Sequence, residues 1–438
     1  MLKPGLYPGP MTPAPRAVLS RLLRDATLAR GVAGDLLTAR RARRDVAREL
    51  ADRAPLTPGV FEIGVYFADG DINLYQLRQW YAPLQELAKT HPVVLLSRNA
   101  TATRALLRES PIPVAHVRSV ADLETAIDEQ PLRIVLYVNQ NARNFQMMRY
   151  GRRWHVFVNH GESDKMYMTT NQFKAYDYSF IAGDAALARL RRVLWDFDFD
   201  KRALAIGRPQ ADHVSGRTPY PADGRRVVLY APTWEGDRPA AGYGSIRTHG
   251  VALTRALVAD PGYRLVYRPH PRSGAVDPAY GAADREIVAL IAAANAADPA
   301  ARHVHDTSAE LGWQLTADIA VLDVSAMVYD RLATGRPLLV TRPISPAAEV
   351  DESGYLGDAE WLRAEDAAAI VARLESVEHD EAAVERLERW VAHYFGDTSP
   401  GAATARFHAA IEQLLAEWDR HAELHRDDAA VDEHDPEH

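Results

Sequence analysis

Short apolar runs alternate with helix-like stretches through most of the chain, and this alternation restricts the folds that it can adopt. In the first half the strand candidates are Phe61–Phe67, Val93–Ser97, Val114–Val117, Ile134–Val138, Val156–Asn159 and Tyr178–Ala182. The helix candidates of this half are Leu74–Lys89, Thr101–Glu109, Ala121–Glu129, Arg143–Tyr150 and Ala185–Leu194. Strands that alternate with helices in this way are typical of βαβ units with a parallel sheet.

A second series begins after Pro219–Arg225, where proline, glycine and charged residues occur together. Its strand candidates are Val227–Tyr230, Arg264–Tyr267, Ile319–Leu322 and Pro337–Val340. Its helix candidates are Val251–Ala259, Ala283–Ala294, Val324–Leu332 and Ala364–Leu374. The sequence therefore predicts an α/β fold of two tandem Rossmann-like, doubly wound domains, in which ligands bind outside the carboxyl ends of the strands.

The predicted domain boundaries fall at proline-rich segments. We expect a basic helical arm over residues 1–54, one Rossmann-like domain over 55–211 and a second over 212–375. Two helices within 376–420, Glu381–His393 and Ala402–Trp418, are expected to brace the two halves. Residues 421–438 are expected to form a disordered acidic tail.

The arm is rich in arginine, with ten arginines and five acidic residues between 16 and 53. The apolar residues that recur there at helical spacing are Val18, Leu19, Leu22, Leu23 and Ala26. A basic amphipathic helix can lie on an anionic surface such as the inner face of the cell membrane. The alternative, an arm packed on the core with its arginines in water, stays open because Gly31 and Gly34 interrupt the pattern.

Composition excludes several classes of function. The 438 residues include no cysteine, which rules out disulfides, thiolate metal sites and cysteine nucleophiles. The net charge of −8 argues against a nucleic-acid partner. No apolar run approaches the roughly 18 residues that span a bilayer, and Met1–Pro15 has no apolar signal core. We therefore predict a cytoplasmic protein, at most peripheral to the membrane.

The first candidate site follows the strand Val156–Asn159, which leads directly into His160 and Gly161. A neutral imidazole at a strand end can take a proton from an attacking hydroxyl, and glycine lets a substrate come close. Glu162 or Asp164 could orient the imidazole ring. A histidine that only satisfies a local turn is the alternative.

A second histidine stands at another strand exit. The residues that follow the strand Arg264–Tyr267 are Arg268, Pro269, His270, Pro271 and Arg272. The prolines restrict the loop, and its arginines suit a diphosphate because guanidinium groups match phosphate oxygens. The alternative is a proline turn with solvated arginines.

Two further strand ends carry hydroxyl groups. Asp323 ends a buried strand, and a helix is expected near Ser325, whose hydroxyl and neighbouring N–H groups suit a phosphate. Thr233 and Trp234 follow the strand Val227–Tyr230, where the hydroxyl suits a phosphate and the indole a base or a sugar. Ordinary helix capping and a packed tryptophan explain the same residues equally well.

No metal site and no cofactor are predicted. Asp196, Asp198 and Asp200 alternate with aromatic residues, as in an amphipathic surface segment. His303 and His305 have no further ligand cluster beside them in the sequence. Phosphate loops of the Walker A and dinucleotide-binding types are absent from the sequence.

The order of these motifs resembles that of the CDP-glycerol glycerophosphotransferase family, the teichoic-acid and capsule polymerases with the GT-B fold. The matching elements are histidine–glycine at 160–161, A-P-T-W at 231–234, H-P at 270–271, D-x-S at 323–325, R-P at 336–337 and G-D-T-S at 396–399. The resemblance covers about Tyr150 to Phe407. It departs at Ala326, where the family usually has a second serine. It also departs after Gly161, where the family often has a small residue, a proline and a lysine and this chain has Glu162, Ser163, Asp164 and Lys165.

The resemblance implies that His160 is the base for the acceptor hydroxyl, while His270 and Ser325 bind the pyrophosphate of the donor. The other donor-phosphate ligands that we predict are Arg268, Arg272 and Thr233. The supporting residues are Gly161, Glu162, Asp164, Asp323 and Trp234. Residues 55–211 would bind the acceptor and residues 212–375 the donor nucleotide.

The implied reaction transfers glycerol phosphate, or a related polyol phosphate, from a CDP-linked donor to a hydroxyl of a bacterial cell-envelope polymer, with release of CMP. The acceptor would be a polyol phosphate or a glycan, free or lipid-linked. Two alternatives remain: a GT-B glycosyltransferase that uses a nucleotide sugar, and a non-catalytic nucleotide-binding assembly protein.

Overall fold

The computed structural model of the protein describes residues 38–162, 170–308 and 311–426. These residues form two parallel β-sheets flanked by helices, which confirms the predicted α/β class with two Rossmann-like halves. Residues 1–37 and 427–438 lie outside the described residues. They include most of the predicted basic arm and of the predicted acidic tail. Asp164 lies outside the described residues as well.

The first sheet has seven strands in the order β3-β2-β1-β4-β5-β6-β7. These strands are β1 (Ile63–Phe67), β2 (Val93–Ser97), β3 (Val114–His116), β4 (Ile134–Tyr137), β5 (Trp154–Phe157), β6 (Tyr178–Ile181) and β7 (Ala203–Ala205). Because β1 pairs with both β2 and β4, the strand order reverses between β1 and β4. Ligands bind beyond the carboxyl ends of strands at such a reversal.

The second sheet has six strands in the order β10-β9-β8-β11-β12-β13. These strands are β8 (Arg226–Ala231), β9 (Tyr263–Tyr267), β10 (Val304–His305), β11 (Ile319–Leu322), β12 (Leu338–Thr341) and β13 (Trp361–Leu362). Here the reversal lies between β8 and β11, since β8 pairs with both β9 and β11. The two sheets therefore offer one ligand-binding edge each.

Helices cover both faces of each sheet. They are α1 (38–51), α2 (Leu74–Arg78), α3 (Tyr81–Leu87), α4 (Ala100–Glu109), α5 (Val120–Glu129), α6 (Phe145–Met148), α7 (Asp184–Val193), α8 (Phe199–Arg202), α9 (Val251–Ala259), α10 (Pro278–Ala297), α11 (Ala326–Leu332), α12 (Ile370–His379), α13 (Glu381–Phe395) and α14 (Ala402–Leu424). Along β1, Val65 packs in one buried cluster and Tyr66 in another on the opposite face. Burial on both faces explains why these strands are continuous apolar runs.

The last two helices contact both halves of the chain. Helix α13 packs against α7 of the first half and α12 of the second. Its Tyr394 backbone lies so close to Gly183 that a Cβ there would stand 2.6 Å from the Tyr394 oxygen. Helix α14 returns to the first sheet, where Phe407 and Ile411 join the buried cluster of Val65.

The described part of the arm is a helix that packs on the first half. Ala42 and Val46 of α1 lie buried against Ala100 and Leu107 of α4. Arg40, Arg41, Arg43, Arg44 and Arg48 are exposed on the rest of the helix. Among the described residues, no helix is both long enough and apolar enough to cross a membrane.

Several elements differ from the sequence-based expectation, and the helices predicted at Arg143–Tyr150 and Ala364–Leu374 each begin as a 3-10 helix. The predicted helix Leu74–Lys89 is interrupted, since α2 ends at Arg78 and α3 begins at Tyr81. Pro83 lies in the first turn of α3, where a missing N–H breaks no helical hydrogen bond. The sequence also does not predict β7, β10 and β13, because strands of two or three residues at a sheet edge are too short to show a period.

Candidate active site between the two halves

The loop after β5 presents His160 through a tight turn built by Asn159. Asn159 adopts a left-handed conformation with φ of 54°, which asparagine tolerates better than most residues. Its side chain accepts the His160 N–H at 2.8 Å and donates to the Gly161 carbonyl at 2.7 Å. The Trp80 indole N–H donates to the Asn159 carbonyl at 2.5 Å, which fixes the turn against α3.

The ring of His160 is held by a backbone carbonyl. Its Nδ1 lies 3.3 Å from the Val138 oxygen, and the edge of Tyr75 contacts it with 5.9 Å between ring centroids. A carbonyl only accepts hydrogen bonds, so Nδ1 carries the proton and Nε2 keeps a lone pair. Burial lowers the pKa of His160 and the positive charge of Arg208 lowers it further, while the Val138 carbonyl partly opposes them. The ring is therefore neutral near pH 7 and suited to accept a proton.

Glu162 has a different partner from the one predicted. Its carboxylate is almost fully buried and forms an ion pair with Arg189 of α7, while the Val138 carbonyl holds the ring of His160. Because a buried carboxylate needs a charged partner, Glu162 pairs with Arg189 and does not orient the ring of His160. Gly161 faces the guanidinium of Arg208, whose Nη1 would lie 4.0 Å from a Cβ at this position.

A cavity of about 810 Å³ opens at the strand reversal of the second sheet. It brings together five of the residues predicted from the sequence, namely Thr233, Trp234, Arg268, His270 and Ser325. They come from the carboxyl ends of β8, β9 and β11, which are adjacent in the sheet although they are far apart in the sequence. This volume falls within the roughly 300–1,000 Å³ of small-molecule sites.

Asp323 organises the loops around this cavity. Its buried carboxylate accepts the Thr233 N–H at 2.8 Å, the Ser245 N–H at 3.0 Å and the Thr341 hydroxyl at 2.6 Å. Burial raises the pKa of Asp323 to about 6 in spite of these donors. The contacts give Asp323 a positioning role, because they connect the ends of β8, β11 and β12.

The ring of His270 is held in the opposite tautomer to His160. Its Nδ1 accepts the Arg272 N–H at 3.1 Å, so the proton is on Nε2. Burial lowers the pKa of His270 and the charge of Arg272 lowers it further, while Glu235 opposes them. His270 is therefore a neutral ring with an N–H group to donate.

Trp234 is stacked between charged and aromatic neighbours. The Arg272 guanidinium carbon lies 3.8 Å from its ring centroid, a cation–π contact. The His270 ring stacks on it with 6.4 Å between centroids and 29° between planes. Trp234 therefore orders the two residues that were predicted to meet a diphosphate.

The side chains of Arg268 and Ser325 each have a partner within the protein. Arg268 forms an ion pair with Asp306, which neutralises much of its charge. Ser325 caps α11 by accepting the Met327 N–H at 3.3 Å, as the capping alternative expects, so its hydroxyl hydrogen remains to donate. Helix α11 has only seven residues, too few for a strong helix dipole at this end.

An ion pair that the sequence does not reveal joins the two halves. Arg208, after β7, donates through Nη2 to Asp330 of α11 at 2.5 Å, with side chains only 11% and 14% exposed. Asp330 lines the 810 Å³ cavity, while Arg208 lines a smaller cavity of about 60 Å³ with Gly161 and Glu162. The pair therefore connects the loop of His160 to the cavity of His270.

Glu235 is a second residue that motif reasoning misses. Its carboxylate accepts the N–H groups of Gly274 at 2.9 Å, Val276 at 2.7 Å and Asp277 at 3.0 Å. Burial alone would raise the pKa of Glu235, and these donors more than offset it, so the pKa lies below its usual value. Glu235 thereby fixes the loop that follows His270.

A polar cluster lies beside His160 at the strand reversal of the first sheet. Asp69, after β1, accepts hydrogen bonds of 2.6 Å from both Asn139 and Asn141, which follow β4. Asn139 also donates to Gln76 at 2.7 Å, and Gln76 donates to the Tyr75 hydroxyl at 3.2 Å. A carboxylate has about four lone-pair sites, so Asp69 can accept further hydroxyl donors.

The acidic and histidine motifs have local structural roles. Asp198 caps α8 by accepting the Lys201 N–H at 3.1 Å. His303 accepts the Leu265 N–H at 3.1 Å, and burial lowers its pKa to about 4. No group of three or more histidine, aspartate or glutamate side chains suited to a metal ion occurs within 38–162, 170–308 and 311–426.

Comparison with known proteins identifies the fold. No family model and no curated protein matches the chain. The wall teichoic acid polymerase TagF superposes with a TM-score of 0.53 at 15% identity, over 92% of this chain and 99% of that one. A putative UDP-N-acetylglucosamine 2-epimerase from Listeria monocytogenes gives 0.51 at 14% identity, over 82% and 98% of the two chains. Another UDP-N-acetylglucosamine 2-epimerase gives 0.52 at 12% identity, over 83% and 97%.

The chain has the fold of these enzymes. The GT-B-like architecture expected from the motifs is therefore confirmed, while identities of 12–15% carry the likeness no further than the fold.

Proposed function

We propose that the protein transfers glycerol phosphate, or a related polyol phosphate, from a CDP-linked donor to a hydroxyl of a cell-envelope polymer, releasing CMP. The observation that carries this proposal is the Arg208–Asp330 ion pair, which links the loop of His160 to the cavity that contains His270. The proposal is that these two rings, a neutral base and a neutral N–H donor, serve one reaction. Residues 55–211 bind the acceptor, 212–375 bind the donor, and 376–420 brace the two.

On the donor side, several groups converge that donate hydrogen bonds to phosphate oxygens. In the cavity they are the Nε2–H of His270 and the hydroxyls of Thr233 and Ser325, while the guanidinium of Arg272 lies outside its lining, against Trp234. Donors fixed in advance stabilise the charge that develops in phosphoryl transfer, and this is the main task of the protein in such reactions.

On the acceptor side, the cluster of Asp69, Asn139 and Gln76 lies beside Tyr75, which contacts His160. Carboxylate and amide groups at a strand reversal suit the hydroxyls of a polyol or a glycan. An acceptor held there brings a terminal hydroxyl toward Nε2 of His160.

The reaction follows from these groups. The acceptor oxygen attacks the phosphorus that bears glycerol, and its proton passes to Nε2 of His160. A new P–O bond forms while the bond to the CMP phosphate breaks, and CMP leaves with that electron pair. His270, Thr233 and Ser325 donate hydrogen bonds to the phosphate oxygens of the donor. The products are the extended polymer, CMP and one proton.

The polymer end reaches this site at the inner face of the membrane. The exposed arginines of α1 form a basic surface on the side opposite Ala42 and Val46. Near an anionic membrane such residues contribute about 1 kcal/mol each. Deletion of residues 1–53 should reduce co-sedimentation with anionic vesicles, and equal binding of the shortened chain would contradict this membrane contact.

Nucleotide release tests the proposal. The full chain is incubated with CDP-glycerol and a glycerol-phosphate oligomer, and in parallel with UDP- and CMP-sugars, and released nucleotides are separated by chromatography. CMP release from CDP-glycerol that depends on the oligomer supports the proposal. Nucleotide release from a sugar donor alone would indicate a glycosyltransferase, and no release from any donor would indicate a non-catalytic binding protein.

A further inference from the structure

The guanidinium of Arg208 has a buried nitrogen with no partner among the described residues. Its Nη2 donates to Asp330 at 2.5 Å and approaches the Gln79 side-chain oxygen at 3.4 Å. Its Nη1 is buried, yet it has no hydrogen-bond partner among the described residues. Buried guanidinium N–H groups are normally satisfied, and an unmade hydrogen bond of this kind costs stability, so the orphaned donor calls for an explanation.

The position of this nitrogen points to a ligand. Nη1 lies next to Gly161, 4.0 Å from where a Cβ would stand, and Gly161 and Arg208 both line the cavity of about 60 Å³. The charge of Arg208 also reaches His160, whose pKa it lowers. Nη2, on the other side of the guanidinium, is held by Asp330 at the donor cavity.

We propose that Arg208 is a catalytic residue that binds the phosphoryl group while it passes from donor to acceptor. Nη1 donates to a non-bridging oxygen of the transferred phosphate, and Asp330 is a positioning residue that fixes the guanidinium through Nη2. Arg208 binds and orients the phosphate and takes no part in the proton transfer to His160. The inference rests on the proposed function and adds to it the group that neutralises charge at the midpoint of the transfer.

The residue types suit this role. A guanidinium is planar, always charged and has several N–H donors, so it can hold Asp330 and a phosphate at once. The ion pair keeps it in place before substrate arrives, and fixed donors need no reorganisation during reaction. A purely structural ion pair between the halves is the alternative, and it would change stability without changing the chemical step.

The kinetic test compares Arg208→Lys with the matched control Arg386→Lys, which alters a partly buried ion pair with Glu360 away from the site. We expect Arg208→Lys to lower kcat for CMP release from CDP-glycerol about 100-fold with little change in KM, as for other transition-state donors. The control should keep its kcat. A kcat within about threefold of wild type, with an unchanged melting temperature, would overturn the inference.

Asp330→Asn provides a second variant if Arg208→Lys unfolds. It retains Arg208 and its charge but weakens the contact at Nη2, and we expect kcat to fall about tenfold at constant KM. A wild-type kcat in this variant would overturn the positioning role of Asp330.

A binding measurement separates this inference from the proposed function. Inorganic pyrophosphate is titrated calorimetrically into wild type, Arg208→Gln and Arg386→Gln. We expect only Arg208→Gln to bind pyrophosphate about tenfold more weakly, the loss of one charged hydrogen bond. Equal affinities, or no pyrophosphate binding by wild type, would overturn the role of Arg208. If CDP-glycerol is not turned over while Arg208→Gln weakens pyrophosphate binding, the proposed donor is wrong and the phosphate role of Arg208 stands.

Discussion

His160 and His270 are held in opposite tautomers by their backbone partners. The Val138 carbonyl places the proton of His160 on Nδ1, whereas the Arg272 N–H leaves the proton of His270 on Nε2. The first ring therefore has a lone pair for a proton, and the second has an N–H for a phosphate oxygen. Burial lowers the pKa of both rings, so these roles hold at neutral pH.

The acid side of the pH–rate profile should report His160. Burial and Arg208 lower its pKa below 6.5, and the ring works as a base only when neutral, so kcat should decline only as pH falls below 6.5. Arg208→Gln removes a positive charge and should raise this pKa, which moves the decline to higher pH. Rates of CMP release between pH 5 and 8 give the profile, with Arg386→Gln as control. If the pH–rate profiles of Arg208→Gln and wild type coincide, the effect of the Arg208 charge on the pKa of His160 would be contradicted.

Asp323→Asn should weaken the donor half in a pH-dependent way. At neutral pH the substitution replaces an acceptor by an amide that cannot satisfy all three donors, at a cost of about 1–3 kcal/mol. The folded pKa of about 6 exceeds the usual 3.8, so the protonated form favours folding at low pH and that contribution is lost as pH rises through 6. Urea unfolding at pH 5 and 7.5 should therefore show a smaller advantage of wild type at pH 7.5. If the difference in free energy of unfolding between wild type and Asp323→Asn is the same at both pH values, the raised pKa of the buried Asp323 would be contradicted.

Trp234→Ala should weaken donor binding through Arg272. The indole holds the Arg272 guanidinium at 3.8 Å beside the cavity, and its loss leaves that guanidinium unordered, at a cost of about tenfold in affinity. Trp234→Phe keeps an aromatic face and should lose less. The shift in melting temperature across a CDP-glycerol titration measures both affinities. Equal affinities for wild type and Trp234→Ala would show that the stacking has no role in binding.

Gly183→Ala should destabilise the contact between α13 and the first half. Its Cβ would lie 2.6 Å from the Tyr394 backbone oxygen, and overpacking against backbone costs about 1–3 kcal/mol. Gly70→Ala is the control, because its Cβ would find no atom nearer than 3.6 Å. Thermal unfolding of the two variants tests the difference. If Gly183→Ala and Gly70→Ala have equal melting temperatures, α13 would move to accommodate the added methyl group without loss of stability.

The sequence predicts the sheets well because their strands are buried on both faces. Val93–Ser97 and Ile319–Leu322 have the predicted limits, since every residue in them is buried. The two-residue strands β10 and β13 contain no such run. The break at Gln79–Trp80 is followed by a new helix that begins at Tyr81, with Pro83 in its first turn.

The sequence predicts those site residues that directly follow a strand. Thr233, His270 and Ser325 follow apolar runs, and a parallel sheet brings such ends to one edge. Arg208 and Asp330 are 122 residues apart, and neither has a local sequence signal for its partner. The partner of Glu162 cannot be predicted from the sequence either, because its pairing with Arg189 depends on how α7 packs.

CMP release from CDP-glycerol by His160→Ala and His270→Ala tests the central claim, that both rings serve one phosphoryl transfer. We predict that each variant loses at least about 100-fold in kcat. His379→Ala, at the exposed end of α12, should match wild type. CDP-glycerol should raise the melting temperature of His160→Ala as it does that of wild type, but raise that of His270→Ala much less, since of the two histidines only His270 binds the donor. CMP release at the wild-type rate by either histidine variant would contradict the account.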